Sequence, residues 1–293
     1  MKKIAALITG LITLLTTLST FAQQKQTPAK DRSLLWKISG KHLPKPSYLF
    51  GTIHLICSED FLWTQKMKES FGVSEKICFE MDLDNPEVML QASMGLMDKT
   101  GKKLREYFTA EQYKTLEQYF SDSLGMDIAM FEQLKPVALL SMLGTTGVSC
   151  ANPVSYEDSL MKIAQADNKE ILGLEEPQEQ LDVLASIPTD SVVKQLMDAM
   201  ENNASNDNEF AGLINAYKNQ DLPKLYELLT TSKDQSLDLG MFLEKRNKNW
   251  IPRITTKMLA SSVFFAVGAG HLYGETGVIN LLRREGYKVE AVK

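Results

Sequence analysis

The segment SYLFGTIHLIC, residues 47–57, predicts a buried strand that ends on a glycine and is followed by a histidine. The segment SSVFFAVGAGH, residues 261–271, repeats this order near the other end of the chain. His54 and His271 thus follow apolar runs and glycines in a chain of 293 residues that has only three histidines. Ligands of α/β proteins gather outside the carboxyl ends of the strands, where glycine permits a sharp turn and close approach to the backbone. The two segments therefore predict that these histidines belong to one site.

The patterning of the whole chain predicts an α/β fold. Apolar or alternating runs between turn residues favour strands at 34–39, 47–54, 76–84, 170–175, 261–270 and 287–292. Helical spacing of apolar residues occupies about 86–168 and 176–260. We therefore expect one domain over residues 34–293, with a mixed central sheet built from both ends of the chain and a large helical middle region that forms a lobe.

Composition and the N-terminus narrow the class of protein. The chain is 44% hydrophobic and 24% charged with a net charge of −5, and its basic residues are scattered, so nucleic-acid binding is not expected. Residues 1–22 combine a basic start, an apolar Thr-rich run and a small-residue end, which is typical of a secretory signal peptide. We expect a disordered leader over residues 23–33 and a periplasmic or secreted mature protein without a membrane span.

The chain has three cysteines, Cys57, Cys78 and Cys150. In an oxidising compartment they allow one disulfide and one free thiol, and the sequence does not fix the pairing. The alternative is that all three are small buried apolar residues.

The predicted strand 76–84 carries acidic residues in alternation. Glu80, Asp82 and Asp84 lie two residues apart, so a strand would point all three to one face. Two histidines and one carboxylate can hold a catalytic divalent ion, which lowers the pKa of bound water towards ~7 and polarises a carbonyl. The alternatives are hydrogen-bonded turn histidines, a solvated acidic edge strand, or a phosphate-binding loop at GAGHLYGETG that lacks the P-loop lysine.

Several segments together resemble the TraB/GumN family, which is related to the Tiki metalloproteases. They are LLWKISGKHLPKPSYLFGTIHL, FEMDL, GLEEPQEQLDVL, RNKNW and FFAVGAGHLYGETGVINLLRREGYKVEAV, and they span nearly all of the mature chain. The resemblance implies a peptidase that uses manganese or cobalt, held by two Gly-x-x-His motifs and a glutamate. By motif these are His54 of GTIH, His271 of GAGH and Glu80 of CFEMDL.

As a mechanism hypothesis, we expect the following roles around the ion. Glu80 completes the metal shell or acts as general base, and Asp82 orients one imidazole. Arg246 stabilises an oxyanion or a substrate carboxylate, or else forms a surface ion pair. Glu175 reaches the same crevice or caps the following helix. The glycines Gly51, Gly268 and Gly270 shape the two turns.

The expected function is a metal-dependent hydrolase that acts on a peptide or protein substrate, with zinc as a further candidate ion. One alternative is a non-catalytic ligand-binding protein, because the middle segments EVMLQASMGLMD and EYFTAEQYKTLEQYF are rich in methionine and aromatic residues. A haem protein is a third reading, but the chain lacks a Cys-x-x-Cys-His motif.

Overall fold

The computed structural model describes residues 32–143, 150–201, 203–231 and 239–293. The predicted signal peptide and all but the last two residues of the predicted leader lie outside these ranges.

A six-stranded mixed sheet forms the centre of the fold. The strands are β1 (Leu35–Ser39), β2 (Ser47–Thr52), β3 (Ile56–Cys57), β4 (Lys76–Phe79), β5 (Pro153–Val154), β6 (Glu170–Gly173), β7 (Val263–Gly268) and β8 (Lys288–Ala291). The order across the sheet is β6-β4-β7-β2-β1-β8, and β3 pairs separately with β5. The predicted α/β fold, with a mixed sheet built from both ends of the chain, is confirmed.

Helices surround this sheet. They are α1 (Gln65–Val73), α2 (Pro86–Gly95), α3 (Ala110–Leu124), α4 (Pro136–Leu143), α5 (Tyr156–Ala166), α6 (Pro177–Ala185), α7 (Thr189–Glu201), α8 (Asn203–Lys218), α9 (Leu222–Thr231), α10 (Arg246–Ala260) and α11 (Val278–Arg284). A π-helical turn, Gly240–Lys245, leads directly into α10. None of the helices in the described ranges has the length and apolar character needed to cross a membrane.

Four neighbouring strands of the sheet, β6, β4, β7 and β2, run parallel. Their registers pair Thr52 with Gly268 and Phe79 with Gly173, so all four carboxyl ends meet at one edge. β7 is buried along almost its whole length, as expected for a strand between two parallel neighbours. This edge is where a ligand site is expected in such a sheet.

β4 is shorter than predicted. It ends at Phe79, where the chain turns. The prediction that Glu80, Asp82 and Asp84 share one face of a strand is therefore wrong. A Cβ on Gly173, at the end of β6, would lie 2.5 Å from the backbone nitrogen of Asp82. The chain after β4 thus passes across the end of β6 instead of continuing beside it, and the alternation of residue types continues into a turn.

Buried apolar side chains form two clusters. The first packs around the sheet and includes residues of α5, α9 and α10. The second packs among helices and includes residues of α3, α4 and α7. Helices of the middle region thus contribute to both clusters.

A disulfide joins Cys57 to Cys150, and Cys78 is a buried free thiol. The bond fastens β3 to the chain just before β5, across a sequence separation of 93 residues. It therefore ties the loop after β2, which carries His54, to the segment that leads into α5.

Candidate metal centre

His271 lies in a 3-10 turn, Ala269–His271, directly after β7, and only 5% of the residue is exposed. Its Nδ1 lies 2.6 Å from Oδ1 of Asn247. The Asn247 amide nitrogen donates to the carbonyl oxygens of His271 and Thr276, at 3.2 and 2.9 Å, so the orientation of the amide is fixed. Oδ1 must then accept a hydrogen bond from Nδ1, which leaves the lone pair of His271 on Nε2.

Burial lowers the pKa of His271 to about 4, so its imidazole is neutral at neutral pH. A neutral ring with a free Nε2 lone pair is the form that binds a metal ion. The same ring packs against the indole of Trp250, with the ring centroids 4.4 Å apart.

Glu80 follows β4 and faces His271. Its Oε1 accepts a hydrogen bond from the backbone N–H of Gly268 at 2.9 Å and lies 3.8 Å from Nε2 of His271. Burial opposes its ionisation, but the positive charges of protonated His271 and of Arg246, with the Gly268 hydrogen bond, outweigh it and lower its pKa to about 2. Glu80 is therefore a carboxylate.

Arg246 begins α10 and lies between the acidic groups, with 13% of its side chain exposed. Nη2 donates to Glu80 at 2.6 Å and also to Glu175, and Nη1 donates to Nε2 of His271 at 3.2 Å. Burial lowers the pKa of the guanidinium, but the two carboxylates outweigh this effect and raise it above its ordinary value. The alternative expectation for Arg246, an ion pair on the surface, is wrong, because its ion pairs with Glu80 and Glu175 are buried.

Glu175 holds the Arg246 side chain in place through hydrogen bonds to its guanidinium. Its side chain is 1% exposed, and it accepts hydrogen bonds from Arg246, from Nε1 of Trp250 at 3.1 Å and from Gln180 at 2.8 Å. The following helix, α6, is capped by Glu176 and not by Glu175. Glu175 therefore lies at the same sheet edge as Glu80, with its carboxylate fully engaged.

His54 lies on the outer side of the site. Its side chain is 79% exposed, and its Nδ1 lies 3.5 Å from Oε1 of Glu157. Glu157 is itself held by the hydroxyls of Thr52 and Ser155, at 2.8 and 3.2 Å. The hydrogen bond to Glu157 and the negative charge of this carboxylate raise the pKa of His54 to about 9. His54 is therefore protonated at neutral pH in this structure.

The three predicted ligands are near one another but are not assembled in bonding geometry. Their donor atoms do not all lie within 4.8 Å of one another. Among the described residues, the set that meets this distance is Cys57, Glu59 and Cys150, in which the disulfide engages both sulfurs. The Arg246 guanidinium lies against Nε2 of His271, at the position that a cation bound to this nitrogen needs.

The chemistry of the donors nevertheless fits a divalent ion. His271 offers a buried neutral nitrogen and Glu80 an ionised oxygen, 3.8 Å apart. His54 lines the mouth of the same pocket as Glu80. Nitrogen and oxygen donors of this kind suit manganese, cobalt and zinc.

The pocket has a volume of about 340 Å³ and opens at the carboxyl edge of the sheet. The polar residues of its lining are His54, Glu80, Glu157, Gln180 and Arg246. His271 lies behind Arg246 and Glu80 rather than on the pocket wall.

The predicted glycines lie at close contacts. A Cβ on Gly51 would lie 3.0 to 3.1 Å from atoms of Leu272 and Ala269, so this glycine allows the end of β2 to pack against the turn that carries His271. A Cβ on Gly270 would lie 3.0 Å from Leu229. Gly268 contributes its backbone N–H to Glu80.

Asp82 does not contact either imidazole. It lies beside Asp84 and Asn85. Burial and the interaction with Asp84 raise its pKa to about 6, against a smaller lowering effect of Lys257 and Asn85. The orienting partners are residues that the sequence did not single out: Asn247 for His271 and Glu157 for His54. Asn247 belongs to the quoted block RNKNW, where it follows Arg246 and precedes Trp250.

Comparison of the sequence with known proteins identifies a family. The profile of the TraB/PrgY/gumN family matches residues 34–291. The chain is 24% identical to Metalloprotease TIKI2 of Danio rerio, over 93% of this chain and 63% of that protein. It is 25% identical to Metalloprotease TIKI1 of Danio rerio, over 90% and 64%, and 24% identical to Metalloprotease TIKI1 of Homo sapiens, over 91% and 63%.

The chain spans less than two thirds of the length of these relatives. No solved structure is significantly similar to it. The family match covers every strand of the sheet and every residue of the site, and the resemblance predicted from the motifs is confirmed. This protein belongs to the TraB/PrgY/gumN family.

Proposed function

We propose that this protein is a metal-dependent hydrolase, and specifically a peptidase that acts outside the cytoplasm. The observation that carries the proposal is the pair formed by His271 and Glu80, a neutral buried imidazole and an ionised carboxylate 3.8 Å apart at the carboxyl edge of the sheet. The relatives named metalloproteases support a divalent metal in general terms.

His54, Glu80 and His271 are the proposed ligands. A divalent ion held by them would supply Lewis-acid polarisation of the substrate carbonyl and a water of lowered pKa. Manganese or cobalt is the proposed ion, as the resemblance implies, and zinc fits the same donors. Because His54 is protonated in this structure, it must lose its proton to act as a ligand.

The surrounding residues hold this arrangement. Asn247 keeps the lone pair of His271 on Nε2, and Glu157 holds Nδ1 of His54 so that its Nε2 is available. Arg246 keeps Glu80 ionised and, as a lining residue of the pocket, is the proposed donor to the developing oxyanion. Glu175 has the positioning role of fixing Arg246.

The disulfide supports the proposed location. Disulfides form and persist in oxidising compartments such as the periplasm and the extracellular space. The bond between Cys57 and Cys150 agrees with the secretory signal peptide predicted for residues 1–22.

The proposal is tested by incubating the protein with a peptide library and manganese or cobalt, with and without a chelator. We expect cleavage that the chelator abolishes and that Glu80→Gln and His271→Gln also abolish. The matched control is His42→Gln, which changes the third histidine, exposed in the β1–β2 turn. Elemental analysis measures the bound metal, which we expect the two site variants to lose. Circular dichroism measures whether these variants are still folded, so that loss of the ion is distinguished from loss of the fold. Equal cleavage by all variants would refute the proposed site.

A non-catalytic binding protein is the second candidate, because α2 has no buried residue and exposes Met89, Leu90 and Met94. Exposed methionines adapt to varied apolar partners. Saturable peptide binding without metal-dependent cleavage would favour this candidate.

A further inference from the structure

We infer that the pocket beside the candidate metal centre is a specificity subsite that accepts one apolar side chain of a peptide substrate, next to the bond that is cleaved. This inference rests on the proposed function, because it names the substrate class of the same site. It concerns the apolar part of the pocket lining, which we call the apolar wall.

That wall is apolar and comes from three separate segments. Met81 and Leu83 lie in the turn after β4, Val183 and Leu184 lie on α6, and Phe242 lies in the π-helical turn before α10. Three segments far apart in sequence thus present apolar side chains to one cavity. π-helical turns of this kind are frequent at functional sites.

The wall is held in place by both hydrophobic clusters. Leu83 packs against the cluster around the sheet, whereas Leu184 and Phe242 pack against the helical cluster. The pocket therefore opens where the two clusters meet. Since packed cores resist deformation, the cavity is preformed rather than made by flexible surface side chains.

The charged side chains that line the pocket already have partners within the protein. Glu80 pairs with Arg246, and Glu157 accepts from Thr52 and lies 3.5 Å from Nδ1 of His54. A charged substrate side chain placed against the apolar part of the lining would lose its hydration without gaining a partner of opposite charge, which is costly. An apolar side chain there gains free energy by leaving water.

The size agrees with a single side chain and its flanking backbone. The volume of about 340 Å³ lies near the lower end of the roughly 300–1,000 Å³ that ligand pockets span. Glu80 and Arg246 line the same cavity, so a side chain on the apolar wall brings its own backbone to the candidate metal centre.

The test uses peptides that differ at one position at a time on each side of the cleaved bond, with Gly, Leu, Phe, Glu or Lys at that position. With manganese or cobalt, we expect kcat/KM for Leu or Phe to exceed that for Gly or Glu by roughly 10- to 200-fold at one position. Equal rates for all five residues at every position, in a protein that cleaves peptide, would overturn the inference and leave the proposed function intact.

Two variants make the test specific. Leu83→Arg places a positive charge on the apolar wall, so we expect its preference to shift from Leu towards Glu at the same position. The control is Leu259→Arg on α10, whose leucine is 52% exposed and lies outside the lining of the pocket. It should keep the wild-type preference. An unchanged preference in a folded Leu83→Arg protein would overturn the inference.

A binding measurement does not depend on turnover. Saturation-transfer NMR with N-acetyl-leucine amide should show contact with the metal-free protein, and this signal should be lost in Leu83→Arg and kept in Leu259→Arg. Such binding without any metal-dependent cleavage would support the apolar subsite and refute the peptidase. If neither binding nor metal-dependent cleavage is observed, the inference and the proposed function are both overturned.

Discussion

The amide of Asn247 fixes the tautomer of His271. Its nitrogen donates to the carbonyl oxygens of His271 and Thr276, and its oxygen accepts from Nδ1 of the imidazole at 2.6 Å. Nε2 is therefore the nitrogen with the lone pair, and it faces Glu80 at 3.8 Å. This relationship leaves Nε2 of His271 available to the proposed ion.

Asn247→Ala should weaken manganese binding by roughly 10- to 100-fold, which is the usual effect of removing a partner of a metal-ligating histidine. Titration calorimetry measures the affinity, and nitrogen NMR shifts of His271 report the tautomer, which a purely structural role would not change. Asn247→Asp keeps an oxygen acceptor and should restore the Nδ1–H form. Asn280→Ala is the matched control, because the Asn280 amide donates to the Glu275 carbonyl away from the site. Unaltered affinity and tautomer in Asn247→Ala would contradict the assigned role.

Metal affinity should rise with pH. Hydrogen bonding to Glu157 raises the pKa of His54 to about 9, so below that pH a metal ion must displace a proton from this residue. His271, with a pKa of about 4, is already neutral, so metal binding displaces no proton from it near neutral pH. The apparent affinity for manganese should therefore increase by about tenfold per pH unit between about pH 6 and 8. His54→Ala should bind more weakly and with a flat pH dependence. A flat dependence in the wild-type protein would exclude His54 from the metal shell.

Glu175 and Arg246 form a buried pair, and removal of one partner leaves the other charge unpaired. Glu175→Ala should lower the free energy of unfolding by about 3–5 kcal/mol. The control is Glu227→Ala on α9, where the glutamate pairs with Lys224 and both side chains are about half exposed. Loss of that pair should change the free energy of unfolding by about 0–1 kcal/mol. Urea unfolding of both variants decides the comparison, and similar small losses in both would show that the Glu175 pair is not a structural anchor.

The disulfide between Cys57 and Cys150 determines how many reactive thiols the native, unfolded and reduced protein should each show. The native protein should show no reactive thiol, because Cys78 is buried and burial raises its pKa to about 12. Unfolding without a reductant should expose one thiol, and reduction should raise the count to three. A closed loop of this length stabilises a protein by about 2–5 kcal/mol, so Cys57→Ala with Cys150→Ala should unfold at correspondingly lower urea concentration. Labelling of three thiols before reduction would contradict the assigned bond.

The strands and the turns that carry the histidines were predictable because they depend on local pattern. Apolar runs that end on Gly51 and Gly268 predict each strand and the place where it ends from a few adjacent residues. β4 was predicted too long because alternation of residue types continues past Phe79, although the backbone turns there. The backbone at Asp82 instead lies against Gly173 at the end of β6, nearly a hundred residues later, and a local pattern does not encode this contact.

The partners of the site residues depend on tertiary structure. Arg246 contacts Glu175 and Glu80 across 71 and 166 positions of sequence, and no periodicity links them. One signal was present: Arg246 and Trp250 are four residues apart, so a helix presents both to Glu175. Glu157 gave no comparable signal, because its approach to His54 depends on the pairing of β3 with β5 and on the disulfide.

Metal binding by His54, Glu80 and His271 is tested most directly by anomalous diffraction at the manganese edge, from crystals grown with manganese chloride. We predict one strong peak bonded to Nε2 of His271, to Glu80 and to His54, with the Arg246 guanidinium displaced from its contact with Nε2. A protein that cleaves peptide with manganese while its crystals place the ion elsewhere, and leave Arg246 against His271, would contradict the proposed metal centre.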